Sequence, residues 1–226
     1  MGVLSTRLTE KFAVPYPFVC AGMAFAAGTS ELAVAVSNAG GIGAVGAALM
    51  PADRLREIIH EIRAGAGKAP FHINLITYFD NTEQLQVCVE ERVPAVSFHW
   101  GHPPAHQIEQ LRAAGVSLWE QVGSADAAER AVEDGVEVVV AQGWEAGGHG
   151  TTVFQGEPTV LRKFNVLPPV PGTEADWEEM PWLMGQGVGL VRDVKPAGEI
   201  VREMVGEAER TLARFRDGGT SGTLKG

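Results

Sequence analysis

The run Val138-Val-Val-Ala-Gln-Gly-Trp-Glu-Ala-Gly-Gly-His149 concentrates residue types that can do chemistry. It opens as an apolar, β-branched stretch, which reads as a buried strand. Gln142 then brings a polar side chain, Gly143, Gly147 and Gly148 bring bare backbone, and His149 brings an imidazole. Glycines let a flat ligand approach the main chain, and an imidazole takes or gives a proton near neutral pH. The plain alternative is a strand-to-loop transition with a surface histidine, because Gly-Gly-His also suits ordinary loops. Asn74 lies inside a second apolar run, Phe71-His-Ile-Asn-Leu-Ile76. A buried amide needs partners, so Asn74 marks either a ligand contact or a local polar pair. His72 in the same run reads as a histidine with a local hydrogen bond. His99 and His102 read either as lining the mouth of a site or as loop histidines with backbone partners. Glu145 either orients His149 or ends the strand in solvent.

The elements that would position these groups recur at a regular pitch. Apolar runs at 18–22, 40–46, 71–76, 95–98, 116–122 and 136–142 read as six strands. Between them, helical spacing covers Ser30 to about Asn38, Pro51 to Ala64, Asn81 to Glu91, His106 to Ala114 and Ser124 to Asp134, with Ser30 and Ser124 as caps and Gly115 and Gly135 as stops. Strand, helix, strand, helix with short connections argues for parallel βαβ units. Strands that deliver polar groups at their C-terminal ends suit a (β/α) barrel, with a doubly wound sheet as the rival. Gly40-Gly-Ile-Gly43 lacks the spacing of a dinucleotide fingerprint. After His149 the rhythm stops. The expected division is a partial barrel over 1–150, a Pro/Gly-rich irregular segment over 151–192, an amphipathic helix over 193–216 and a disordered tail over 217–226. The helix carries an apolar stripe of Ile200, Val201, Met204, Val205, Ala208, Leu212 and Phe215.

Composition narrows the function class. The 226 residues carry a net charge of −10 and no basic block, which argues against a nucleic-acid partner. No apolar run has membrane-spanning length and no secretory leader is evident, so a cytoplasmic location and no membrane partner are expected. Two cysteines, Cys20 and Cys88, make neither a disulfide framework nor a zinc spacing.

Five stretches carry a family resemblance: Phe18-Val-Cys-Ala-Gly-Met23, Ser37-Asn-Ala-Gly-Gly-Ile-Gly43, Phe71-His-Ile-Asn-Leu75, Ser97-Phe-His-Trp-Gly101 and Ala141-Gln-Gly-Trp-Glu-Ala-Gly-Gly-His149. In this order they resemble the successive motifs of nitronate monooxygenases, formerly called 2-nitropropane dioxygenases. The resemblance implies an FMN-dependent barrel that oxidises alkyl nitronates or nitroalkanes with oxygen to a carbonyl compound and nitrite. It implies that Ala21, Gly22 and Met23 lie against the flavin and that Asn74 and Gln142 hydrogen-bond the isoalloxazine edge. It also implies that Gly147 and Gly148 bring backbone close to the cofactor, that His149 is the catalytic base, and that no metal takes part. Without the family, Met23 reads equally as a core filler. Related flavin-dependent enoyl reductases, which use NAD(P)H, are the second enzymatic reading. A truncated relative without flavin is the third.

The chain also departs from the family. An eight-stranded barrel needs two more strands than the six counted, and the resemblance implies that those two carry the loops holding the FMN phosphate. Thr151-Thr-Val-Phe154 and the stretch from Gly185-Gln-Gly187 to Phe215 resemble family segments that follow the eighth strand. An internal segment is therefore expected to be missing between Gly150 and Thr151, at the cost of phosphate-binding backbone amides.

Overall fold

Helices and parallel strands alternate through the described part of the chain. The computed structural model describes residues 3–24, 27–143, 145–147 and 185–216. Gly148, His149, most of the expected irregular segment and the expected tail lie outside the described residues. The strands β1 (Gly43–Gly46), β2 (Phe71–Ile76), β3 (Ala95–His99), β4 (Ser117–Val122) and β5 (Val138–Ala141) follow one another in the order β1-β2-β3-β4-β5. The Gly43 amide donates to Pro70 O and the Ala47 amide to Asn74 O, so β1 and β2 advance together. β3–β4 and β4–β5 are also parallel, with Ala95 opposite Ser117 and Trp119 opposite Val138.

Where a first strand is expected, at 18–22, the described residues hold a single parallel bridge, Val19 to Ile42. Cys20 N–H donates to Ile42 O, and Ile42 N–H donates to Phe18 O. One residue pair further back, Tyr16 N–H still reaches Gly40 O, at 3.3 Å. The described residues thus hold five strands and this bridge.

Two compact units divide the chain, and the division falls inside β2. The first comprises residues 1–46, 51–73 and 195–226. Its helices are α1 (Arg7–Phe12), α2 (Ser30–Asn38), α3 (Ala52–Ala66) and, C-terminal in the chain, α7 (Ala197–Arg216). Thr6 and Thr9 cap α1 reciprocally. Helix α3 buries Leu55, Ile58, Ile59 and Ile62 at helical spacing. Ser30, expected as a cap, is instead the first residue of α2; Thr29 stands at the cap, and the Ser30 hydroxyl donates to Glu61 at 2.7 Å. Helix α2 packs against α3, β1 and α7. Cys20, Val36, Ala39, Ala44, Val201 and Val205 share a buried cluster. Only part of the expected α7 stripe is covered: Val201 and Val205 are buried, while Ile200, Met204, Leu212 and Phe215 are exposed. The flank carrying Val201 and Val205 meets α2; Ile200, Met204 and Phe215 lie on the adjoining sector, and Leu212 shares the first flank two turns further along the helix.

The second unit comprises 47–50 and 74–194. It contains α4 (Thr82–Glu90), α5 (Ala105–Ala113), α6 (Ala125–Glu133) and a 3₁₀ turn at Gln186–Leu190. The Ser124 hydroxyl accepts from Ala127 N–H and caps α6, as its position predicts. Helix α4 packs on α5, α5 and α6 pack on β4, and α6 packs on β5. Phe98, Leu118 and Trp119 are the large side chains buried within β3 and β4.

Candidate functional site

Polar side chains on apolar strands define the places where this fold can meet a ligand. Asn74 lies midway along β2, buried, and its amide Nδ2 donates to Ser97 Oγ at 2.8 Å and to Ser97 O at 3.4 Å. A backbone carbonyl only accepts, so the amide orientation is fixed: nitrogen toward β3, oxygen away from it. Among the described residues Asn74 Oδ1 has no hydrogen-bond partner, and it stands as a free acceptor. Ser97 was not singled out by sequence reasoning. Its signal was a hydroxyl on an otherwise apolar strand two residues before His99.

Gln142 follows β5 and is half-buried, its N–H donating to Val122 O. The chain then turns, with Ala146 N–H donating to Gly143 O. Glu145 is exposed and its carboxylate folds over Gly143. Gly147 is exposed and is met by a segment distant in sequence. A Cβ on Gly185 would stand 2.6 Å from Gly147 N and 2.7 Å from Glu145 O, and Gln186 N–H donates to Glu145 O at 2.9 Å. Only a glycine permits this approach of two main chains, so Gly185 and Gln186 clamp the turn that leads to Gly148 and His149. The clamp was not legible in the sequence.

Ala21, Gly22 and Met23 belong to the first unit, Asn74, Gln142 and Gly147 to the second. Ala21 is exposed, Gly22 half-buried, and Met23 is 39% exposed, so it is no core filler. The main chain of Met23 and Ala24 lies directly on β1: a Cβ on Gly46 would be 2.5 Å from the Met23 carbonyl. His72 fixes the preceding residue. Its Nε2 lies 2.9 Å from Cys20 O, which requires the Nε2–H tautomer. Burial pulls its pKa down to about 4, against the opposing effect of the Cys20 hydrogen bond, so the ring is neutral at pH 7.

His102 has carboxylate partners in place of the backbone partners expected of a loop histidine. Its Nδ1 lies 2.9 Å from Glu120 Oε2 and its Nε2 3.0 Å from Asp134 Oδ2. Glu120 is buried within β4; burial pushes its pKa up, and His102 pulls it back. The cluster ties the loop after β3 to β4 and the end of α6. The cysteines are buried, and burial raises both thiols, Cys88 to about 12, so neither is a reactive thiolate. Among the described residues no group of His, Cys, Asp and Glu could hold a metal ion, and no helix is long and apolar enough to cross a membrane.

Parallel strand–helix repeats with polar groups along their strands place the chain in the α/β class, as an incomplete (β/α) barrel type with a C-terminal helix. The chain belongs to the nitronate monooxygenase family: the family model, described as nitronate monooxygenase, matches residues 5–84 and 76–175. A probable nitronate monooxygenase of Staphylococcus saprophyticus is 34% identical, over 65% of this chain and 51% of that protein. Among solved structures, FabK from Thermotoga maritima is similar with a TM-score of 0.60 and 37% identity, over 64% of this chain and 46% of that one. A nitroalkane oxidase from Streptomyces ansochromogenes is similar with a TM-score of 0.59 and 28% identity, over 65% of this chain and 51% of that one. The chain thus spans about half the length of the relatives it matches.

Proposed function

We propose that this chain binds FMN by its isoalloxazine ring and oxidises alkyl nitronates with oxygen, giving a carbonyl compound and nitrite. The observation that carries the reading is Asn74. Its nitrogen is committed to Ser97, so what it offers a ligand is an acceptor on an apolar strand. A flavin ring presents an N–H on its pyrimidine edge, which fits that acceptor. Ala21, Gly22 and Met23 would lie against the ring, Gln142 would bond its polar edge, and Gly147 and Gly148 would give backbone close to it. Bound FMN would supply the redox chemistry. His149 would remove a proton from carbon when the substrate arrives as a neutral nitroalkane, and would hold an anionic nitronate.

The grip on the phosphate is the weak part of the site. If a segment is missing after Gly150, the backbone amides that would bind the phosphate are missing with it, and the ring contacts carry the affinity. Anaerobic mixing tests the reaction class. A nitronate is expected to bleach the bound flavin while NADH and NADPH do not. Bleaching by either nicotinamide and not by a nitronate would assign the chain to the enoyl-reductase-like alternative instead.

A further inference from the structure

Helix α7 has two apolar sectors, and only one is covered. At about 100° per residue, Val201 and Val205 face α2, while Ile200, Met204, Ala208 and Phe215 form a neighbouring strip about 80° wide. Ile200 is 39%, Met204 54% and Phe215 76% exposed, while Leu212, which lies between Val201 and Val205 in angle but further along the helix, is 40% exposed. An exposed strip of this size along one helix is a candidate contact surface.

The charges beside the strip name the partner. On its open flank stand, in order, Glu199, Glu203, Glu207, Arg210 and Arg214, all exposed. The first half of the flank is acidic and the second half basic. A parallel copy of the helix would set like charges together. An antiparallel copy, related by a two-fold axis near Ala208, would set Glu203 against Arg214 and Glu207 against Arg210. The same axis would place Ile200 over Phe215 and bring the two Met204 side chains to either side of the paired Ala208 residues. Polar and apolar registers therefore agree on one arrangement. Lys195 already holds Glu203, with Nζ at 2.8 and 3.0 Å from its oxygens, and the carboxylate keeps lone pairs for a second cation.

We infer that α7 is a self-association surface, and that two copies of this chain pair through antiparallel α7 helices about a two-fold axis. The contact is isologous and closes on itself, so it yields a dimer rather than a filament.

Sedimentation velocity of the full chain across a wide concentration range tests the inference. The wild type is expected to shift from monomer to dimer, and Met204→Glu to weaken the association by about tenfold or more. Glu203→Arg with Glu207→Arg makes the four pairing positions of the flank, 203, 207, 210 and 214, all basic; Arg210→Glu with Arg214→Glu makes them all acidic. Each pair of changes is expected to abolish self-association at low salt, and an equimolar mixture of the two proteins to recover a heterodimer. All these side chains are exposed, and circular dichroism verifies that the variants fold. A wild type that stays monomeric, a dimer indifferent to Met204→Glu, or charge variants that fail to recover on mixing would overturn the inference.

Discussion

Replacing His72 by Gln should remove a specific part of the protein's acid sensitivity. The imidazole is buried in β2 and donates through Nε2 to Cys20 O. Its pKa is lowered from 6.5 to about 4. Above pH 6.5 the ring is neutral in both folded and unfolded chains. Between 6.5 and about 4 the unfolded chain binds a proton that the folded chain refuses, so stability falls as the pH falls. Below about 4 the loss is complete, and it amounts to about 3 kcal/mol at 1.36 kcal/mol per pH unit. Gln reaches the same carbonyl with its Nε2 and does not titrate. Urea unfolding of both proteins at pH 7 and pH 4 gives the double difference, in which carboxylate titrations common to both cancel. The wild type should lose about 3 kcal/mol more than His72→Gln over that interval. Equal losses, or an imidazole resonance of His72 titrating near 6.5, would refute the reasoning.

Further outcomes follow from the other contacts. His102→Ala leaves the buried Glu120 carboxylate without its imidazole and should cost ~3 kcal/mol at neutral pH; the deficit should shrink as the pH falls and Glu120 takes up a proton, which denaturation at two pH values checks. Gly185→Ala drives a Cβ into the main chain at Glu145 and Gly147, so FMN affinity by fluorescence titration should drop about tenfold or more, equivalent to ~1.4 kcal/mol, while the far-ultraviolet dichroism stays unchanged. His149→Ala should slow turnover of neutral nitroalkanes by about a hundredfold or more, the usual scale of a general base, and spare preformed nitronates; oxygen uptake with the two substrate forms separates them, and equal losses would remove the proton-abstraction role.

The strand–helix alternation was legible because each buried strand is an apolar run and each helix carries its apolar residues on one side. Ser124 and the glycines after α5 and α6 marked their own boundaries. The stretch at 18–22 looked like the other strands, but its pairing shrinks to the Val19–Ile42 bridge, and apolar pattern does not report pairing. Helix α1 has only six residues, too few for periodicity, and its Thr6–Thr9 cap departs from the usual Glu or Gln. For α7 the pattern predicted an apolar stripe but could not say which sector α2 would cover. Asn74 was legible as a buried amide, whereas its free atom depends on Ser97 across the sheet. The partners of His102 lie 18 and 32 positions away on β4 and at the end of α6, and no local signal joins them. The approach of Gly185 to Gly147 is likewise tertiary, and each glycine alone reads as a turn.

The most direct test of the account is titration of the purified chain with FMN, followed by flavin absorbance and fluorescence, with riboflavin in parallel. Saturable binding at one flavin per chain is predicted, with FMN and riboflavin within about tenfold of each other because the ring supplies most of the contacts, a gap of ~1.4 kcal/mol at most. A chain that leaves the flavin spectrum unperturbed at every concentration would contradict it.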